Sequence, residues 1–116
     1  MFKRNVVKEK SFAFACEIVF LYKVLLLRKE FVLSKQLLRS GTSIGACIRE
    51  SEQAESKADF IHKLAIALKE ANETEYWLEL LFETRYLSEQ EFKSIQPKSS
   101  ELLRLLTRII NTTKNK

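Results

Sequence analysis

Residues 56–87 read SKADFIHKLAIALKEANETEYWLELLFETRYL, and their spacing decides the fold. Phe60, Leu64, Ala67, Ala71, Leu78 and Leu81 keep the period of three and four that gathers side chains on one side of an α-helix. Ile61, Ala65, Leu68, Tyr76, Trp77 and Leu80 broaden that stripe, and neither glycine nor proline interrupts it. Ser56 followed by Asp59 is a capping-box-like start. A helix over 57–87, at about 1.5 Å per residue, is a rod of roughly 45 Å.

On the C-terminal side, Ser88 with Glu91 three residues on opens a further helix over 88–113. Phe92, Ile95, Ser99, Leu102, Leu106 and Ile109 hold their phase straight across Pro97. That continuity favours a kink at the proline over a break near it, and both readings fit the spacing. On the N-terminal side, a helix over 31–53 carries Leu33, Leu37, Ser40, Ile44, Cys47 and Ile48 on one stripe. Its centre is small. Gly41 and Gly45 lie four apart and let another helix approach closely, which must offset the roughly 1 kcal/mol of helix propensity that each costs. The rival reading, a loop at Ser40-Gly41, breaks a period that continues in phase. No Gly-Lys-Ser/Thr follows, so this is not a phosphate loop.

The first helix, over 6–27 with Asn5 as its N-cap, has only Glu17 and Lys23 charged between Phe12 and Leu27. A surface helix needs one apolar stripe, not an apolar circumference. Self-association is the simplest way to cover the rest. Lys3, Arg4, Lys8 and Lys10 before an apolar run resemble an export signal, but the run is broken by charge and falls short of the roughly 18 residues a membrane span needs. The expectation is a cytoplasmic protein without a membrane segment.

Short connections make consecutive helices antiparallel neighbours, and the whole chain of 116 residues then forms one all-α, up-down-up-down four-helix bundle in a single domain. Two glycines and one proline leave too little turn chemistry for an all-β fold of this length. Cys16 and Cys47 fall on neighbouring helices out of register for a disulfide, and read as two buried free thiols.

The sequence offers no catalytic constellation. His62, the only histidine, has Ala58, Asp59, Ala65 and Ile66 as helical neighbours, so no metal site is expected. Glu70, Glu73, Glu75, Glu79 and Glu83 lack the Glu-x-x-His pairs of a di-metal bundle. They read as solvated faces and ion pairs, with Arg39 opposite Glu70 and Glu73. Neither cofactor nor small-molecule substrate is implied, and the expectation is a protein that is not an enzyme.

Charge distribution is more informative. Residues 1–40 hold nine bases against three acids (net +6), residues 41–95 six against eleven (net −5), and residues 96–116 five against one (net +4). In an up-down bundle both termini share one end. Lys3, Arg4, Lys8 and Lys10 then gather near Arg104, Arg108 and Lys114, a basic cluster suited to phosphates. Aromatic stacking platforms are not expected, because the phenylalanines fall on core stripes.

Segment 36–50, QLLRSGTSIGACIRE, resembles the signature of the bacterial four-helix bundle proteins encoded in intervening sequences of 23S ribosomal RNA genes: Gln-Leu-x-Arg-Ala/Ser, then Ser-Ile-x-Ala-Asn-Ile-x-Glu. Segment 58–81 is similar to that family's third-helix signature. Cys47 stands where the family usually has Asn, and Ser51 where it often has Gly. The resemblance implies a bundle assembled as a ring, commonly a homopentamer, and a relation in fold to nucleic-acid-binding accessory proteins of diversity-generating retroelements. The leading expectation is therefore a non-catalytic homo-oligomer associated with structured RNA or a ribonucleoprotein. The alternative is a protein-only scaffold that uses the acidic third helix or a groove between subunits.

Overall fold

The computed structural model describes residues 5–116. Four antiparallel helices form one up-down-up-down bundle, with no strand among the described residues: α1 Val6–Leu27, α2 Leu33–Ser51, α3 Lys57–Glu83 and α4 Glu89–Lys114. Its principal extents are 46 × 24 × 22 Å, so the length of α3 sets the length of the molecule.

Each helix starts where a side chain takes over the orphan backbone donors. Asn5 Oδ1 accepts from the Lys8 amide at 3.1 Å, and Ser56 Oγ accepts from the Asp59 amide at 3.0 Å. The expected reciprocal arm at Ser56 goes elsewhere, because the Asp59 carboxylate accepts from the Glu55 amide. Ser88 and Glu91 make both arms of a capping box. Helix α2 begins at Leu33 rather than 31, because its cap comes from outside the helix. The buried Glu30 carboxylate accepts from the amides of Val32 (3.3 Å), Leu33 (2.9 Å) and Ser34 (2.6 Å). That helix stops at Ser51 instead of 53, and α3 stops at Glu83 instead of 87.

Helices α1 and α3 end alike. Lys29 and Arg85 adopt φ of 64° and 68°. The amides of Glu30 and Tyr86 then reach back to Leu25 O and Leu81 O, each at 2.9 Å, as in a Schellman motif. The left-handed residue turns the chain, which is why Leu87 lies beyond α3 and packs as a separate buried side chain. Helix α4 runs as one element through Pro97 to Lys114, so there is no break at the proline.

The core follows the stripes: Phe14, Ile18, Leu25, Leu37, Ile44, Leu64, Leu78, Leu81, Leu102 and Leu106 are all at most 2% exposed. The gap in the α3 stripe is closed by Thr74, buried and bonded to Ser40 Oγ at 3.0 Å. Both glycines of α2 receive α1. A Cβ on Gly41 would lie 2.8 Å from Ile18 Cγ1, whereas one on Gly45 would sit 3.4 Å from Ser11 Oγ. Gly41 is therefore required by the close approach, and Gly45 is tolerated by it.

Candidate nucleic-acid interface

The antiparallel order brings the start of α1, the end of α2, the start of α3 and the end of α4 to one end of the bundle. Lys3 and Arg4 lie outside the described residues. Lys8 is paired with Glu52 at 2.9 Å, and Lys10 with Glu101 at 3.1 Å. Arg104, Arg108 and Lys114 are exposed on the last turns of α4 and make no ion pair among the described residues. The C-terminus is drawn in, since Lys57 Nζ donates to Lys116 O at 2.8 Å.

Counting charge by segment of chain obscures what the fold does. The net-negative middle segment is divided, and Glu50, Glu52 and Asp59 arrive at the same end as the cations. Lys63 approaches Glu50 at 3.9 Å, and Lys8 is held by Glu52. The end is thus mixed on its α2–α3 side and cationic along α4.

Two residues join this end that sequence reasoning missed. Arg49, in the last turn of α2, lays its guanidinium over the ring of Phe12, 5.1 Å from the centroid. Phe12 itself is 55% exposed, contrary to the expectation that every phenylalanine serves the core. The signal was present in the hairpin geometry. Gly45 packs against Ser11, so one turn further along α2 lands level with the start of α1.

Arg39 bridges α2 to α3: its guanidinium donates to Glu70 at 2.9 Å and pairs closely with Glu73. Trp77 Nε1 also donates to Glu73 at 2.9 Å. The indole donor, followed by Arg39, holds the Glu73 carboxyl below its ordinary range despite some burial. This cluster sits on the flank of the bundle, away from the basic end. It acts as a helix–helix tie.

Helices α1 and α4 are tied by Lys10–Glu101 and by Glu17–Lys98 at 2.6 Å. Beyond the second pair they open into a groove of about 450 Å³ floored by Phe20, Leu21, Val24 and Ile95. Phe20 is 65% exposed and Leu27 84%, while the opposite side of α1 carries the buried Phe14, Ile18, Leu21 and Leu25. Apolar residues on both sides explain why α1 has no clean polar face. Cys16 lies on this outer side and is exposed, and Cys47 is half-buried, so the expectation of two buried thiols is corrected. Burial, with Glu50 and Glu70 nearby, pushes the Cys47 thiol up, against thiolate reactivity. His62 is exposed, and no cluster of three metal-ligating side chains occurs among the described residues. No helix there is long and apolar enough to cross a membrane.

Residues 3–108 match the model of a family described as 23S rRNA-intervening sequence protein. Among solved structures, a protein of unknown function from the S23 ribosomal protein family of Bacteroides thetaiotaomicron is 64% identical. The match covers 90% of this chain and 97% of that one, with a TM-score of 0.88. No curated protein matches the chain.

Proposed function

The chain belongs to the 23S rRNA-intervening sequence protein family, and from that premise we propose a non-catalytic homo-oligomer that associates with structured RNA through phosphate contacts. One observation carries the reading. Arg104, Arg108 and Lys114 stand exposed and without ion-pair partners among the described residues, at the end where α1 also begins. Cations left free in this way are available to replace the counterions of a phosphate backbone. Lys8 and Lys10 reinforce them, because exposed ion pairs are worth little and exchange readily for a phosphate. A second copy covers Phe20 and Leu27 on α1, and the ring of five implied by the resemblance is the stoichiometry to test. Strong polar groups that could serve chemistry are already engaged, which supports a non-catalytic reading: Glu30 and Glu91 cap helices, and Thr74 bonds to Ser40 across α2 and α3.

The test is fluorescence anisotropy of the protein with a structured ribosomal RNA fragment and a matched DNA duplex across a salt series, its mass followed by light scattering. Affinity should fall steeply with salt. Replacing Arg104 and Arg108 together by Ala should weaken binding about tenfold or more and flatten the salt slope by about two phosphate contacts. A mass above the 13.6 kDa of one chain is expected for the unaltered protein. No binding at low salt would remove RNA from this account and leave the protein-only scaffold.

A further inference from the structure

At the basic end, α1 and α2 part to leave a hollow of about 290 Å³ lined by Lys8, Phe12, Ala15, Thr42, Gly45 and Arg49, among others. The space is left open because Ala15, Gly45 and Ala46, on its floor, carry little or no side chain. Its rim combines an exposed aromatic ring, a guanidinium held over that ring, and an ammonium group. Arg49 makes no ion pair among the described residues, so its donors face no carboxylate there. Lys8 meets Glu52 through an exposed contact of 2.9 Å, and none of the residues lining the hollow is acidic. Thr42 gives its hydroxyl hydrogen to Leu38 O at 2.7 Å and keeps lone pairs for an incoming donor.

We propose that this hollow receives one unpaired base of an RNA strand, stacked against Phe12 and Arg49, with Arg49 and Lys8 holding the adjoining phosphates. Every base has a π-face, and both aromatic rings and guanidinium planes stack on it. A purely anionic ligand leaves the exposed Phe12 ring unused, and a purely apolar one makes no use of the Arg49 and Lys8 charges. A nucleotide uses both. The inference rests on the RNA-association reading and adds to it, since phosphate contacts along α4 alone do not distinguish a stacked base from a missing one. Phe12 lies on the α2 side of α1, whereas Phe20 and Val24 line the groove on the α4 side. The hollow and the proposed contact between copies therefore use different sides of the helix.

The experiment compares a labelled uridine octamer with an abasic strand of equal length, at fixed salt, by anisotropy with the full chain. The unaltered protein should bind the base-bearing strand about tenfold tighter or more, the size of one base–aromatic stack. Phe12→Ala should erase that preference without changing affinity for the abasic strand, and Phe12→Tyr should retain it. Arg49→Ala should weaken both strands and flatten the salt slope by about one contact. Far-UV circular dichroism establishes that each variant is folded. Equal binding of the two strands by the unaltered protein overturns the proposal, as does a preference that survives in Phe12→Ala. In either case salt-sensitive binding of the abasic strand leaves the phosphate reading standing. Failure of both strands to bind at low salt overturns this proposal, and the structured ribosomal RNA fragment then decides the phosphate reading by itself.

Discussion

The two ends of the bundle are built differently. At the loop-bearing end, where α1 meets α2 and α3 meets α4, strong polar groups are bonded to one another. Arg28 forks onto Glu91 with two bonds of 2.7 and 2.8 Å and also donates to Tyr86 O at 2.8 Å. Glu91 accepts the Ser88 amide as well, and Glu30 takes three amides of α2. At the terminal end the cations of α4 stand free, and a guanidinium rests on a ring in place of a carboxylate. Satisfied polar groups add stability and have nothing left to offer a ligand. Unsatisfied ones, kept in water, cost the fold little and remain available. The groups that stabilise the fold and those proposed to meet RNA thus lie about one bundle length apart. Substitutions at the loop end should move the unfolding free energy and leave RNA affinity alone.

The largest expected effect is at Glu30. Replacing it with Ala strands the Leu33 and Ser34 amides in a buried corner and removes the only side-chain cap of α2, for which a loss of about 2–3 kcal/mol is expected. Urea unfolding measures it. A loss under about 0.5 kcal/mol would mean that water caps the helix equally well, and that this end is less tightly built than its geometry indicates. Glu30→Gln keeps an acceptor oxygen and should fall between.

Glu91 comes second and carries a pH signature. The Arg28 guanidinium, opposed by burial and aided by Ser88, holds its carboxyl down from 4.5 to about 2. A folded-state value below the unfolded one stabilises fully above about pH 4.5, and that contribution is lost as pH falls toward 2. Glu91→Gln should therefore cost about 1–2 kcal/mol at pH 7, discounted for the partly exposed Arg28. The gap from the unaltered protein should narrow below pH 4.5. A gap that stays constant from pH 7 to 3 would assign the loss to packing instead of charge. Glu30 titrates low in the same sense, since its amide donors outweigh the burial that would raise it.

How much of this was readable beforehand differs between the ends. The stripe on α3 and the caps at Asn5, Ser56 and Ser88 follow from local spacing, so the helices could be placed from residues alone. Gly41 announced a close approach, but only packing shows that Ile18 fills it. The candidate interface was harder. Lys8 and Lys10 were readable as basic and near the termini, yet Glu52 and Glu101 reach them across helices. Phe12 looked like core because a one-dimensional pattern cannot say which arc of an all-apolar helix is covered. Glu30 escaped notice because nothing in its sequence neighbours shows that the carboxylate folds back onto the next helix. In each case the missing information is a contact between elements.

The smallest expected effect tests the comparison most sharply. Lys29 and Arg85 occupy left-handed positions at the loop end, where an L side chain is strained by about 1–2 kcal/mol relative to glycine. Glycine relieves that strain but gives back about 0.5–1 kcal/mol through the greater freedom of its unfolded chain. Each cation also follows a helix C-terminus, where positive charge contributes about 0.3–1 kcal/mol. At their midpoints these contributions nearly cancel, so Lys29→Gly should shift stability by no more than about 0.5 kcal/mol, a change in Tm of about two degrees at most for a chain of this size. A larger fall in Tm would show that the charge at the end of α1 outweighs the strain. RNA affinity decides the larger point. If Lys29→Gly or Arg85→Gly weakens binding, these two cations contact phosphate, and the loop end is a second recognition surface. Unchanged affinity, with Tm moved by no more than about two degrees, keeps the proposed recognition at the terminal end and makes both residues part of the frame.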